Sequence, residues 1–305
     1  MRTATNSPVR RRDAIKRLGL AVGGTALAGA SAGLSQATPA QVDPGSGVGL
    51  ATETPLRGKV AIVTGARANI GRGIAVGLAA LGADVLVHYH RAQTVDQAEE
   101  TARMAREAGA EKTALAMGDL GDEANVKRMF DVAESELGGS DILVNNAGAI
   151  VKKPIAELTA EEYRRCYNIN EWGTFLCMRE GANRLRNRGR IINIVTSIVP
   201  SITPGYGAYA ATKSGNAQLV RTLSAEIGGP DRGITVNSVH PGPIDTPFFR
   251  GPESEEAIAY ASEMANMNRL GEVTDVVPVV QYLATPAAQW MTGESLFVNG
   301  GYAES

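Results

Sequence analysis

The stretch that decides the fold runs from Val60 to Gly73 and reads VAIVTGARANIGRG. Its first part, Val60–Thr64, is almost continuously apolar, which predicts a strand covered on both faces. The glycines that follow predict a tight turn into a helix, and the free N–H groups at a helix start favour a phosphate. An ordinary strand-to-helix turn would read similarly, so the rest of the chain must distinguish the two interpretations.

Short β-rich runs alternate with longer helical patterns from Leu56 onward. The predicted strands are Val60–Thr64, Asp84–His88, Thr113–Met117, Ile142–Asn145, Arg190–Val195, Thr235–Val239 and Ser295–Val298. The clearest helical patterns are Gly71–Leu81, Thr94–Ala108, Glu123–Leu137, Ala160–Leu185, Ala208–Ile227 and Thr274–Ala284. This alternation is typical of a parallel sheet with helices on both faces. The sequence therefore predicts one Rossmann-type α/β domain over residues 56–305, with a doubly wound sheet of about seven strands.

The composition excludes several classes of partner. With 30 basic and 32 acidic residues among 305, the formal net charge is -2, which gives no reason to expect nucleic acid or an anionic membrane. Cys166 and Cys177 fall in one predicted helix, about 16 Å apart along its axis, which is too far for a disulfide. Neither the cysteines nor the three histidines have a metal-ligand spacing, so no metal site is predicted.

The N-terminal residues read as a targeting segment. Arg10–Arg12 and Lys16 precede an apolar, Gly/Ala-rich stretch, and small residues follow at two plausible cleavage points, Ala37 and Ala40. The paired arginines resemble a bacterial twin-arginine signal. We therefore expect an export signal over residues 1–40 and a flexible linker over 41–55, with a periplasmic or exported protein that keeps no membrane span after processing. An uncleaved anchor or a disordered tail is the alternative, and an unused signal would leave the protein in the cytoplasm.

The end of the second predicted strand carries basic residues where an acid would hold ribose hydroxyls. It reads His88-Tyr89-His90-Arg91, and the first acidic residue after it is Asp96. Arginine suits a 2′-phosphate through paired, charge-assisted hydrogen bonds. With Arg67 in the glycine-rich turn, the pattern favours NADP(H) over NAD(H). Two solvated surface arginines are the alternative interpretation.

A tyrosine and a lysine one helical turn apart form the candidate catalytic group. Tyr209 and Lys213 are at i and i+4, so they share one face of the predicted helix 208–227. A free tyrosine has a pKa of about 10, and a nearby ammonium favours the phenolate and lowers that pKa. The pair predicts a general acid or base for a substrate oxygen. By itself, such a pair also occurs on ordinary surface helices.

These motifs, in this order, resemble the short-chain dehydrogenase/reductase family. Gly65 and Gly71 match the first and last glycines of the family's Thr-Gly-x-x-x-Gly-x-Gly pattern, and Asn69 stands at the middle one. Asparagine tolerates left-handed backbone better than most residues, so the turn can survive. The resemblance extends from Leu56 to about Tyr302. Further matching motifs are Asp119-Leu120, Asn145-Asn146-Ala147-Gly148, Pro241-Gly242-Pro243-Ile244-Asp245-Thr246 and Val298-Asn299-Gly300-Gly301.

The resemblance implies a set of site residues. Tyr209 and Lys213 would be the catalytic pair, and the family's serine, thirteen positions earlier, falls on Thr196, with Ser197 beside it as the alternative. Asn170 fits the position that holds a water in the proton relay to Lys213. The cofactor would be held by Gly65, Arg67, Asn69, Ile70, Gly71, His90, Arg91, Asp119, Leu120, Asn146, Ala147, Gly148, Tyr209, Lys213, Pro241, Gly242, Ile244 and Thr246.

Two subfamilies are similar in different parts of the chain. His88–Arg91 and the missing middle glycine look like pteridine reductases, but these carry an aspartate where Thr196 stands and an aromatic residue where Ala149-Ile150 stands. The 3-oxoacyl-carrier-protein reductases are the other near pattern. The expected substrate is therefore a small carbonyl or alcohol compound or a pterin. The segment Phe248–Met267 would form a substrate lid or a core-packing helix.

The remaining alternatives concern activity and assembly. Family members usually form dimers or tetramers through the fourth and fifth helices, so a homodimer or homotetramer is expected. An NAD-linked alcohol or sugar dehydrogenase would use the same fold. A non-catalytic sensor or scaffold would also bind the cofactor, but such relatives usually lose the tyrosine or the lysine, and Tyr209 and Lys213 are both present.

Overall fold

One parallel sheet organises the part of the chain that the structure describes, and its strand order is β3-β2-β1-β4-β5-β6-β7. The computed structural model describes residues 54–201 and 203–302. The predicted export signal (1–40) and nearly all of the linker (41–55) lie outside these residues, as do Ile202 and 303–305. The order reverses between β1 and β4, which confirms the predicted doubly wound, Rossmann-type fold.

The strands are short. They are β1 Val60–Val63, β2 Asp84–Tyr89, β3 Thr113–Met117, β4 Ile142–Asn145, β5 Arg190–Ile194, β6 Thr235–Pro241 and β7 Ser295–Val298. Strands β1, β4, β5 and β6 are buried throughout, whereas the edge strands β3 and β7 are partly exposed. Every neighbouring pair is parallel, and Ile62 of β1 lies between Leu86 of β2 and Leu143 of β4. Helices cover both faces of the sheet, and this explains why the sequences of the central strands are almost continuously apolar.

Nine α-helices connect and cover the strands of the described residues. They are α1 Asn69–Ala80, α2 Val95–Ala108, α3 Glu123–Leu137, α4 Ala160–Tyr167, α5 Thr174–Arg184, α6 Gly207–Ile227, α7 Pro247–Arg250, α8 Glu255–Met264 and α9 Val273–Ala284. One core cluster joins α1, α2 and α9 to one face of the sheet, and a second joins α3, α5 and α6 to the other. The sheet is therefore packed by helices on both of its faces.

The predicted helix 160–185 is not one α-helix. A π-helical segment, Asn168–Gly173, separates α4 from α5. Such a wide turn inserts an extra residue into the helical path and redirects the side chains on either side of it. Cys166 and Cys177 therefore lie in different α-helices, and both are buried and free, as expected from their spacing.

The predicted lid segment Phe248–Met267 contains two helices, α7 and α8. Thr246 caps α7 and Ser254 caps α8, each by accepting a hydrogen bond from a backbone N–H of the first turn. The segment between these helices, 251–254, faces the cleft described below. No helix within residues 54–201 and 203–302 is long and apolar enough to span a bilayer.

Candidate active site

A cleft of about 1420 Å³ opens at the carboxyl ends of the central strands. This is where ligands bind in doubly wound sheets, because the helices on the two faces diverge at the reversal of strand order. All of the predicted catalytic and cofactor-binding residues line the cleft, except Asn170, which lies fully buried behind its wall. The topology therefore brings together residues that are up to 181 positions apart, from Gly65 to Thr246.

The glycine-rich turn has the backbone that its sequence requires. Gly65 has a φ of 63° and Asn69 a φ of 53°, so asparagine occupies the left-handed region at the family's middle-glycine position. A Cβ on Gly71 would overlap both Gly65 O and Asn146 Nδ2. The start of α1 is thus packed directly against the turn, and Ala68, which precedes it, supplies no side-chain cap. The first N–H groups of α1 therefore have no side-chain cap, and residues 68–71, which bear them, line the cleft.

The end of β4 holds this turn from the other side. The Thr64 hydroxyl accepts hydrogen bonds from the backbone N–H groups of Asn146 and Ala147, at 2.9 and 3.0 Å. Asn146 Nδ2 donates to Thr64 O at 2.9 Å and to Gly65 O at 3.3 Å. The Asn-Asn-Ala-Gly motif therefore fixes the shape of the turn rather than merely following a strand.

His88 is a functional residue whose role the sequence did not reveal. Its buried ring joins two loops: Nδ1 accepts from Gly65 N at 3.1 Å, and Nε2 donates to Gly118 O at 3.0 Å. Burial lowers the pKa of His88 to about 4, so the ring stays neutral and can accept that hydrogen bond. The signal available in the sequence was a histidine directly after the apolar run Val85–Val87.

The predicted basic residues surround the end of β2. Arg91 and His90 are exposed and line the cleft, as does Arg67, whose guanidinium donates to the side chain of Gln97. Arg72 was not predicted, and it fixes the turn by donating to Arg67 O at 2.7 Å and Thr101 Oγ1 at 2.9 Å. No acidic side chain lies among the cleft residues contributed by β2 and the loop that follows it. This arrangement can hold a phosphate, but it offers no carboxylate to a ribose diol.

Thr196, not Ser197, carries the hydroxyl that faces Tyr209. The side chain of Thr196 interacts with the phenol of Tyr209 and opposes the rise in its pKa, and its Oγ1 accepts from Ile198 N at 3.3 Å. Ser197 is directed into the sheet, where its Oγ donates to His240 O at 2.8 Å and its N–H donates to Pro241 O at 2.9 Å. The geometry therefore favours Thr196 between the two alternatives that spacing left open.

Tyr209 and Lys213 lie one turn apart on α6, and both are buried. Burial raises the pKa of Tyr209 to about 12, with an opposing effect of the Thr196 side chain, and lowers the pKa of Lys213 to about 8. The expected lowering of the tyrosine pKa by the ammonium is not found, because desolvation dominates and Lys213 Nζ donates to Ile194 O at 2.9 Å. At pH 7, Tyr209 is consequently protonated and Lys213 is largely charged.

The π-helical segment positions Asn170. Its Nδ2 donates to Ala149 O at 2.8 Å and to Thr212 Oγ1 at 3.0 Å, and its Oδ1 accepts from Ala149 N at 2.8 Å. Its backbone oxygen accepts from Asn216 Nδ2 at 2.7 Å. Asn170 thus joins the loop after β4 to α6, the helix that bears the catalytic pair. The relay water expected beside it stays a prediction.

Known proteins share this fold and sequence over nearly all of the described residues. Residues 65–303 match the family model described as enoyl-(acyl carrier protein) reductase. The chain is 38% identical over 264 residues to a chloroplastic NADPH-dependent aldehyde reductase-like protein of Arabidopsis thaliana, covering 81% of this chain and 95% of the relative. It is 39% identical over 255 residues to a short-chain type dehydrogenase/reductase of Picea abies, covering 81% and 93%.

A solved structure agrees with these matches. A dehydrogenase from Burkholderia cenocepacia, determined with bound NADP, superposes with a TM-score of 0.79 at 36% identity. The superposition covers 84% of this chain and 97% of the other. The similarity therefore includes the glycine-rich turn, the end of β2 and the buried face of α6.

We expect His88 to make stability depend on pH. Its pKa is about 4 in the folded chain and near 6.5 when unfolded, so stability is complete above pH 6.5 and falls as the pH drops towards 4. The contribution lost by pH 5 is about 2 kcal/mol. Denaturant unfolding at pH 7.5 and pH 5 should show a smaller pH difference for His88→Gln than for the unmodified chain. Equal pH differences would contradict this role.

Proposed function

Because the chain belongs to the short-chain dehydrogenase/reductase family, we propose that it is an NADP(H)-dependent oxidoreductase that reduces a carbonyl group of a small molecule. The observation that carries the proposal is the buried Tyr209 at the wall of the cleft, which Thr196 also lines, followed one turn later by the buried Lys213. A protonated phenol beside a second hydroxyl is suited to donating a proton to a carbonyl oxygen.

The cofactor end of the cleft fits NADP(H). The uncapped N-terminus of α1 and the close approach of Gly71 to Gly65 O leave a turn whose N–H groups suit a pyrophosphate. Arg67 and Arg91 suit the 2′-phosphate, and no carboxylate from the end of β2 competes with it. When bound, the cofactor supplies the hydride. The NADP-bound relative and the NADPH-dependent relative support the same choice.

The proton chemistry follows from the pKa values of the pair. Tyr209 keeps its proton at neutral pH and transfers it to the substrate oxygen as the carbonyl carbon is reduced, giving an alcohol. Thr196 donates a hydrogen bond to the same oxygen and stabilises the charge that develops there. Lys213, with a pKa of about 8, lies one turn away on the same buried helix face and returns a proton to the tyrosine after turnover.

The substrate end of the cleft favours a carbonyl compound over a pterin. Ala149 and Ile150 line the wall after β4, where pteridine reductases have an aromatic residue, and Thr196 replaces their aspartate. Phe248 and Tyr260 contribute apolar surface from α7 and α8. The presence of both Tyr209 and Lys213 argues against a sensor that only binds the cofactor.

Replacing Tyr209 with phenylalanine should remove activity but not cofactor binding, because the phenol donates the proton and its ring remains in place. We expect NADPH-dependent reduction of aldehydes and ketones by the unmodified chain, and a loss of at least about 100-fold in kcat for Tyr209→Phe. Steady-state assays with NADPH and NADH, pterins included, and fluorescence titration of NADPH measure both properties. Tight binding without turnover of any substrate would instead favour the sensor.

Thr196 and Ser197 provide a matched pair of substitutions. Thr196→Val keeps the shape but removes the hydroxyl that meets Tyr209, so kcat should fall by about 100-fold. Ser197→Ala removes a hydroxyl directed at β6 and should lower stability by about 1 kcal/mol, with a much smaller effect on kcat. Both variants are compared by kcat and by thermal unfolding. The opposite order of kcat values would assign the catalytic hydroxyl to Ser197.

Removing the arginines should lower the preference for NADPH. Arg67→Ala and Arg91→Ala each remove a charged donor for the 2′-phosphate, so the KM for NADPH should rise by about 10-fold while the KM for NADH changes little. Arg128→Ala, an exposed arginine on α3 outside the cleft, is the matched control. A parallel rise for both cofactors in the cleft variants would place the arginines against another part of the dinucleotide.

A further inference from the structure

A buried carboxylate stands in the substrate end of the cleft, and the chemistry above does not use it. Glu253 lies between α7 and α8, and only 4% of its side chain is exposed. Its Oε2 accepts a hydrogen bond from Lys152 Nζ at 2.5 Å, and its Oε1 accepts one from Tyr206 Oη. Three segments that are far apart in the chain thus meet in one polar cluster: the loop after β4, the start of α6 and the lid segment.

The cluster lies beside the proposed reaction centre. Tyr206 is one turn before Tyr209, and the two rings meet edge-on with centroids 6.3 Å apart. Lys152, Tyr206 and Glu253 all line the cleft, as does Phe248, whose ring is 6.3 Å from that of Tyr209. The cluster is therefore close enough to Tyr209 to contact a substrate whose carbonyl oxygen meets the phenol.

The three side chains retain unused hydrogen-bonding capacity. A carboxylate accepts about four hydrogen bonds, and two protein donors are recorded on Glu253. Lys152 Nζ has three N–H donors, and one of them is used by Glu253. Burial and the neighbouring carboxylate both raise the pKa of Tyr206, so its phenol remains a donor to Glu253. By this count of donors and acceptors, the cluster can both accept and donate a further hydrogen bond.

The balance of charge indicates what kind of group fits. Lys152 and Glu253 neutralise each other, so a charged substrate gains no net attraction, whereas a hydroxyl can donate to the carboxylate and accept from the ammonium. Burial of the Glu253 carboxylate costs desolvation free energy that a well-packed apolar wall would not, so stability alone explains the ion pair poorly. A role in recognition accounts for its position in the cleft.

We propose that Lys152, Tyr206 and Glu253 form a recognition site for a hydroxyl group of the substrate, so that the preferred substrates are uncharged hydroxylated ketones or aldehydes. This inference rests on the proposed carbonyl reduction. It adds a specificity site to that reaction and assigns no step of the chemistry to Glu253.

A purely structural role makes a different prediction. If the cluster only held the segment between α7 and α8 against Lys152, breaking it would impair every substrate to a similar extent. If it binds a hydroxyl, the loss should be confined to substrates that carry one, because a site built to bind a hydroxyl rejects the analogue that lacks it.

Matched substrates separate the two roles. We would measure kcat/KM with NADPH for cyclohexanone and for its 2-, 3- and 4-hydroxy derivatives. The unmodified chain should prefer at least one hydroxylated ketone over cyclohexanone by about 10-fold or more. In Glu253→Gln and Tyr206→Phe this ratio should fall towards one, mainly through KM. The double variant Lys152→Met/Glu253→Gln removes both charges together and should also lose the preference.

The controls keep the outcomes distinct. Glu256→Gln changes an exposed carboxylate on α8, outside the cleft, and should keep the preference. Thermal unfolding and NADPH titration show that each variant is folded. Turnover of ketones without any hydroxyl preference, or equal losses for all four ketones, would overturn the recognition site alone. Failure of the unmodified chain to reduce any carbonyl compound would overturn the proposed function and this inference with it.

Discussion

The shape of the cleft depends on the hydrogen bonds that hold the backbone turn after β1. Thr64 accepts two N–H donors from the end of β4, Asn146 binds the carbonyls of Thr64 and Gly65, and His88 accepts the Gly65 N–H. These contacts come from three neighbouring strands, so the turn has its shape only when the strands are in register. A dinucleotide phosphate needs free N–H groups at the start of α1. The hydrogen bonds that join the ends of β1, β2 and β4 therefore also build the proposed cofactor site.

Burial acts in opposite directions on the two proposed catalytic residues. The same desolvation that raises the pKa of Tyr209 to about 12 lowers that of Lys213 to about 8. An acid that must keep its proton until the carbonyl is reduced benefits from the first shift. The second shift brings the pKa of Lys213 close to neutral pH, which suits a group that returns a proton to the tyrosine after each turnover. The hydrogen bond from Lys213 to Ile194 O further ties this helix to the end of β5.

The sequence predicted what depends on local pattern. The seven strands and the shared helix face of Tyr209 and Lys213 follow from periodicity and spacing, and the left-handed Asn69 follows from the family pattern and backbone preference; the structure places them as expected. It did not reveal the π-helical segment at Asn168–Gly173, because one extra residue in a turn leaves helical periodicity almost unchanged. Nor could it distinguish Thr196 from Ser197, whose orientations are set by contacts with Tyr209 and β6.

The cofactor end and the substrate end of the cleft also differ in how far they could be predicted from the sequence. The cofactor end is built from residues that directly follow β1, β2 and β4, so its chemistry is readable along the chain. At the substrate end, Lys152, Tyr206 and Glu253 come from positions up to 101 residues apart, and each alone reads as an ordinary polar residue. Only the fold makes them neighbours, and the burial of Glu253 makes its carboxylate costly enough to need an explanation. A substitution in such a long-range contact changes the substrate end of the cleft without disturbing the turn after β1.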